Sequence, residues 1–472
     1  MADRSRHPPY QSSDLLASNT DLPKEVLIAR VDVLWEVLSL QLKPSDFETD
    51  ELLAALPPTS PSIPSSALDQ VLHWTRPAPE DASVVVLQTL RDLGLLSILQ
   101  IDIRELAKLI LSIRKLYRLP DECPYHNWSH ASAVAYHACV LAYRLELIRK
   151  FASPLPVFAL IIAALCHDMD HRGTSNGFNS KERTTLWHAY AYSCIHTTNK
   201  RHENGQQPMK NNGSLLETHH FNLFHGLFKT CYPRLLQRLS GNEIATFHRL
   251  VEVIILATDL AAHSRVVQAV KQIKISDMTS SAPFPLEPVL SLFIGACDLS
   301  ASARDWLSSM KAARGIYLER AKESSLSSGG SSQSTISNLS QDQCVFVETF
   351  VRPIFVEIAR LFPTSHPGLT AVDANLSRWR KLVQSSLSST QQLENLIEAA
   401  ERELSNDQDV SQRNKIQGDG FSAVSNATKN KKEYSSLTIV NASTRKSPRS
   451  TRRTAVVPAT TRSKLSKQSV NH

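Results

Sequence analysis

Four short segments of the chain bring histidines and carboxylates together at helical spacing. In Tyr125-His126-Asn127-Trp128-Ser129-His130 the two histidines are four apart, so both imidazoles share one face of a helix or its first turn. In CHDMDHRGTSN, the residues His167, Asp168, Asp170 and His171 follow the apolar run FALIIAAL and so stand at the inner end of a buried helix; Gly173 allows a sharp exit and Asn176 closes the motif. The third segment holds Glu217, His219 and His220, and in the fourth Asp298 ends an apolar run much as Asp168 does. Ionised groups beside a core helix are costly unless a cation or hydrogen bonds compensate them. A neutral imidazole next to a carboxylate is a standard ligand pair for zinc and similar metals. His130, His167, Asp168 and Asp298 would supply four protein ligands to such an ion and leave positions for water. A second, harder ion, Mg²⁺ or Mn²⁺, prefers oxygen and retains waters, so it would share Asp168 and otherwise be held indirectly. Any one segment alone is more often a hydrogen-bonded core feature; the four in this order point to metal chemistry. His137, His188, His196, His202, His225, His248 and His472 form no such group and read as structural or surface residues.

The elements that must position these residues are helices. From about Ala82 to Phe362, segments such as IRELAKLILSIRKLYRL, ASAVAYHACVLAYRLELI and FHRLVEVIILATDLAAH repeat apolar residues at three- and four-residue spacing, and almost nothing alternates with period two. A compact all-α bundle is expected. Two polar stretches interrupt it, His196 to Gly213 and the Ser/Gly tract Ser324 to Ser337. Before it, Lys24 to Leu42 is apolar enough for a largely buried helix, and PPTSPSIPSS (Pro57 to Ser66) reads as a linker. After it, Gln392 to Leu404 places Leu393, Leu396, Ile397 and Ala400 on one face, suited to docking back on the core. The expected organisation is an N-terminal polar segment, helix and linker over 1–81, a catalytic domain over 82–404 and a disordered basic Ser/Thr-rich tail over 405–472.

Composition narrows the function classes. Apolar residues are 42% and charged residues 21% of the 472, near the globular average, so the chain as a whole is neither fibrous nor membrane-embedded. The longest apolar run falls far short of a bilayer span and the start lacks the apolar stretch of a secretory signal, so an intracellular, cytoplasmic protein is expected. Seven scattered cysteines with no CxxC pair argue against a disulfide framework or a cysteine zinc knuckle. The net charge is +7, but residues 411–472 hold 13 Lys/Arg against 2 Asp/Glu, which leaves the body at −4. Sequence-specific nucleic-acid binding is therefore not expected, while RKSPRSTRR (Arg445 to Arg453) suits contact with regulators or nuclear-import machinery.

The motifs together resemble the class I cyclic-nucleotide phosphodiesterases, whose series YHNxxHA, HDxDHxGxxN, Glu-x-His-His, ATDxxxH and a late Asp-Leu-Ser is present as YHNWSHA, HDMDHRGTSN, ETHH, ATDLAAH and CDLS. The resemblance runs from about Ile110 to Trp379, with core motifs over 125–379, and is loosely that of the fungal high-affinity branch. It implies an HD-type helical bundle that hydrolyses a 3′,5′-cyclic purine nucleotide, cAMP rather than cGMP, to the 5′-monophosphate. It implies zinc on His130, His167, Asp168 and Asp298, magnesium or manganese bridged by Asp168, and a hydroxide between the ions as nucleophile. His126 would then protonate O3′, while His171, Glu217, Thr258 and Asn176 would orient metal-bound waters. Gln343 and Phe346 would pair with and stack on the base. The family's Phe-Phe-x-Gln-Gly-Asp element is expected after Trp306, where this chain has GIYLERAKESS, and Ala301 stands where many cAMP-selective members have Asn. Because that element, which in the family contributes to the substrate-pocket wall, is degraded here, the rival reading is a catalytically weakened relative that binds cyclic nucleotide or serves as a scaffold. A different HD-type hydrolase has no need of the YHNxxHA and QxxF elements.

Overall fold

The computed structural model describes residues 42–58, 66–75, 78–151, 153–196, 214–275, 284–327, 339–363, 368–384 and 391–402. Among them there is no strand, and the all-α expectation holds. The helices that build the site are α1 (Ile103–Lys115), α2 (Trp128–Arg144), α3 (Leu155–Cys166), α4 (Leu215–Cys231), α5 (Gly241–Leu256), α6 (Leu286–Asp298), α7 (Trp306–Leu326), α8 (Leu339–Phe346), α9 (Arg352–Leu361) and α10 (Gly368–Gln384).

Every residue of α3 is buried, because LPVFALIIAALC is apolar all round and has no face suited to water. It is therefore the inner strut, with α2, α5 and α6 packed around it and Phe158 stacked on Phe247 of α5 at 5.4 Å. The surrounding helices start where their sequences offer caps. Asp102 accepts from the Arg104 and Glu105 amides at α1, Asn127 from Ser129 at α2, and Ser240 forms a reciprocal capping box with Glu243 at α5. The run from α8 to α9 is continuous through a π-helical turn, Val347–Val351, just before Pro353. Proline has no N–H to give the preceding turn, and the wider turn accommodates its ring.

The core reaches beyond the segment that carries the motifs. The helix Asp46–Ala54 lies on α1 through Arg104–Asp50 and Lys115–Glu48 ion pairs, and Leu68, Leu72 and Trp74 are buried in the same core. Trp74 donates its indole N–H to the Ala303 carbonyl at 3.0 Å. On the other side, residues 391–402 are helical and bury Leu393 and Ile397, with Arg314–Glu394 and Lys311–Glu401 ion pairs to α7. That is the docked amphipathic helix expected from Gln392 onward. All the described residues belong to one unit. The apolar stretch before Leu42, most of the Pro/Ser linker, residues 197–213, residues 328–338 and the basic tail lie outside the described residues. One described stretch, Leu286–Ala303, is long and apolar enough to cross a membrane, but it contains α6 and is mostly buried against the rest of the protein. Cys123, Cys139, Cys166, Cys297 and Cys344 are buried free thiols.

Candidate metal centre and active site

Three helix ends meet at one point. His130 lies in the first turn of α2, His167 and Asp168 directly follow α3, and Asp298 is the last residue of α6. The C-terminal ends of α3 and α6 carry the negative pole of the helix dipole, which favours a cation there. Tyr117 fixes the exit of α3 by donating its hydroxyl to the Leu165 carbonyl at 2.8 Å while accepting from the Asp168 amide. Asp170 then turns the chain in a left-handed conformation at φ 56°. Its carboxylate is gripped by Arg118, Arg172 and His219 at 2.8, 3.1 and 2.9 Å. Burial opposes this charge, but the three partners, His219 first, hold its pKa below the usual carboxylate range.

The donor atoms of His130, His167 and Asp168 all lie within 4.8 Å of one another, and Asp298 adds a fourth against the two histidines. His130 Nε2 stands 3.3 Å from His167 Nε2, 3.4 Å from Asp168 Oδ2 and 3.0 Å from Asp298 Oδ1; His167 Nε2 stands 3.1 Å from Asp168 Oδ2 and 3.5 Å from Asp298 Oδ1. Ligand atoms around one ion with bonds of ~2.0–2.2 Å stand ~3.0–3.5 Å apart, so these five separations have the length a bound cation requires. His167 donates its Nδ1–H to the Ala164 carbonyl at 2.9 Å, which leaves the Nε2 lone pair pointing into the cluster. Asp168 Oδ2 is buried without a hydrogen-bond partner. Burial opposes charge on both His167 and Asp168, yet Asp168 and Asp298 raise the His167 pKa well above its ordinary value and the histidines hold Asp168 well below its own. The cluster thus draws positive charge to its centre, and its residues fit a divalent metal.

Around the cluster the other sequence-predicted residues line one cavity of about 700 Å³. His126 faces it, and its ring N–H at Nδ1 donates to Glu319 Oε2 at 2.6 Å. Burial disfavours the imidazolium, but the hydrogen bond to Glu319 and then the charges of Asp168, Glu319 and Asp298 outweigh it and raise the His126 pKa. His171 accepts from the Gly173 amide at Nδ1, 3.1 Å, so its Nε2 carries the proton; burial, then the nearby His126, pushes its pKa down to about 4 and keeps the ring neutral. Gly173 makes this turn at φ 67°, where a side chain is disfavoured. Glu217 accepts from the Asn176 side-chain amide at 2.9 Å, and Asn176 in turn accepts from the Leu216 amide. Burial, then the charge of Asp259, pushes Glu217 up to about 8. Thr258 anchors its hydroxyl on the Ile255 carbonyl at 2.8 Å, and Gln343, buried on α8, faces the same cavity with Phe346.

Two features differ from the sequence reading. The stretch after Trp306 is not a degraded wall, because α7 runs 21 residues and lines the cavity with Ala312, Ala313, Ile316, Glu319 and Glu323. Glu319 itself was missed, because its partner His126 lies 193 residues away in the chain. Its Oε1 accepts the Tyr125 and His126 amides at 2.7 and 2.9 Å and the Cys123 thiol at 3.1 Å. Burial disfavours its charge, but the His126 ring, by its hydrogen bond and then its charge, holds the Glu319 pKa far below the usual range.

Residues 125–372, more than half of the chain, match the family model described as 3'5'-cyclic nucleotide phosphodiesterase. The chain is similar to the dual 3',5'-cyclic-AMP and -GMP phosphodiesterase 11A of Takifugu rubripes, 25% identical over 75% of this chain and 37% of that protein. It is similar to the cGMP-specific 3',5'-cyclic phosphodiesterase of Drosophila yakuba, 24% identical over 76% of this chain and 30% of that protein. The chain thus spans about a third of the length of these relatives. In fold it is like the phosphodiesterase domain of the Salpingoeca rosetta rhodopsin phosphodiesterase, with a TM-score of 0.57, 21% identity, and coverage of 71% of this chain and 99% of that one.

Proposed function

This chain belongs to the 3'5'-cyclic nucleotide phosphodiesterase family, and from that premise we propose that it hydrolyses a 3′,5′-cyclic purine nucleotide to the 5′-monophosphate at the metal centre of His130, His167, Asp168 and Asp298. The observation that carries the reading is the cluster of four donor atoms, one of them the buried Asp168 Oδ2 that has no hydrogen-bond partner. Two imidazoles and two carboxylates suit zinc, and a second, harder ion such as Mg²⁺ or Mn²⁺ would share Asp168. When bound, such a pair supplies charge neutralisation at the phosphoryl oxygens and water of lowered pKa.

The chain's own residues then divide the remaining work. His126 is the proton donor to the departing O3′: Glu319 holds Nδ1, which leaves Nε2 as the nitrogen able to carry the transferred proton. Neutral His171, with its proton on Nε2, and the Glu217–Asn176 pair orient water at the centre through hydrogen bonds. Gln343 presents an amide donor and acceptor to the base edge, and Phe346, backed by Phe350 at 5.7 Å, supplies a flat apolar face. The family resemblance puts cAMP first, while Ala301 stands where many cAMP-selective members have Asn. The relatives' names include cGMP and both nucleotides, and Gln343 makes no side-chain hydrogen bond to the described residues that would fix which way its amide faces. Both nucleotides therefore belong in the test. The weakened-relative reading loses its main support, since it drew on a degraded pocket wall and α7 is whole.

The test is product analysis of cAMP and cGMP incubated with the wild type and with His126→Ala. We expect the 5′-monophosphate from at least one nucleotide, and a fall in kcat of about 10²–10⁴-fold in the variant, the usual contribution of general-acid catalysis. Absence of hydrolysis by a metal-replete wild type overturns the reading.

A further inference from the structure

Glycine inside a helix costs about 1 kcal/mol relative to alanine. Helix α7 nevertheless carries Gly315 near its middle, and buried. A methyl group placed on Gly315 would stand 3.1 Å from Tyr125 Cβ, 3.2 Å from the Pro124 carbonyl oxygen and 3.4 Å from Tyr125 Cα. These atoms belong to the backbone or its root and cannot rotate away, and all three separations are shorter than the ~3.5–4.0 Å of favourable contact. The helix and the loop Cys123–His126 approach as closely as they do because residue 315 has no side chain.

That approach has a chemical consequence. Glu319 is four residues after Gly315, on the same face of α7. Its carboxylate reaches the loop that Gly315 touches, accepting from the Cys123 thiol and the Tyr125 and His126 amides on one oxygen and from His126 Nδ1 on the other. We propose that Gly315 is a positioning residue: its missing side chain lets α7 press on the Cys123–His126 loop so that Glu319, steadied by the Cys123 thiol, holds the His126 imidazole in place. The inference rests on the reading of His126 as the proton donor.

Gly226 of α4 supplies the control, since a methyl placed there meets nothing within 4 Å. Gly226→Ala should raise the melting temperature by roughly 1–3 °C and leave kcat unchanged. Gly315→Ala must displace the loop by a few tenths of an ångström. Misplacement by ~1 Å can cost ~10²-fold, so kcat should fall by about three- to tenfold with KM within about twofold of wild type. If the glycine acts through Glu319, the double variant Gly315→Ala/Glu319→Gln should fall no further than Glu319→Gln alone. A wild-type kcat in Gly315→Ala, or additive losses in the double variant, would overturn the inference while His126→Ala remains inactive and the proposed function stands. An inactive wild type instead removes the proposed function, and the inference with it. Should Gly315→Ala fail to fold, Cys123→Ala removes a donor to the same oxygen without adding bulk. It should lower kcat by about two- to fivefold at unchanged KM, with Cys123→Ser restoring it, and an unaltered kcat would contradict the proposal.

Discussion

His126 and Glu319 act as a pair, and the sign of their coupling can be measured. The carboxylate of Glu319 stabilises the imidazolium of His126 and so keeps the proton donor charged to higher pH. Replacing it with a neutral amide removes that support and lowers the His126 pKa. Glu319→Gln should therefore reduce kcat by about tenfold or more, leave KM little changed, and move the alkaline limb of the kcat–pH profile to lower pH; a limb that stays in place or moves up would contradict the pairing. At this scale the sequence told most about residues whose chemistry is local. His167 and Asp168 are adjacent, and His126 and His130 share a helical face, so their grouping is visible in a few residues. Glu319 meets His126 across 193 residues of chain, and nothing near it in the sequence records that contact.

The helices decide which ends converge, and their junctions hold the remaining titratable groups. Between α4 and α5, His225 and His248 stand 5.1 Å apart, ring centre to ring centre, among Phe221, Phe224, Phe228 and Phe247, with both Nδ1 atoms buried and unpartnered. Burial, then the neighbouring His225, pushes the His248 pKa down to about 4, below the 6.5 of a free histidine. The unfolded chain thus takes up a proton before the folded one does, so the neutral ring's contribution is complete above about pH 6.5 and is lost as pH falls toward 4. His248→Phe should flatten the decline of melting temperature across that window, a change equivalent to about 1–3 kcal/mol between its two ends; an unchanged slope would show that His248 does not titrate this way. Helix identity and the all-α class were readable because apolar residues recur at three- and four-residue spacing through α1, α2 and α5. Helix α7 was harder, because Met310 is the one large apolar side chain among its buried residues, beside Ser309, Ala313, Gly315 and Glu319, and no stripe announces it.

Over the whole molecule, the packed body extends to both sides of the motif-bearing segment. Trp74 from one side and Leu393 from the other are buried in the core that carries the site, yet PPTSPSIPSS made the first look separable on sequence alone. Proline and serine report local extension and say nothing of where the chain goes next. The second helix was legible because QLENLIEAAEREL shows its apolar face within one window. What all this packing secures is one site: α2 starts where α3 and α6 end, and the residues there need a cation to satisfy Asp168. The most direct test is turnover of cAMP and cGMP by the purified chain before and after exhaustive chelation, with divalent metal restored afterwards and Asp168→Asn measured alongside. The account predicts that chelation abolishes hydrolysis, that restored metal revives the wild type, and that Asp168→Asn stays inactive and binds less metal. Hydrolysis that survives complete metal removal, or an Asp168→Asn variant as active as the wild type, would contradict it.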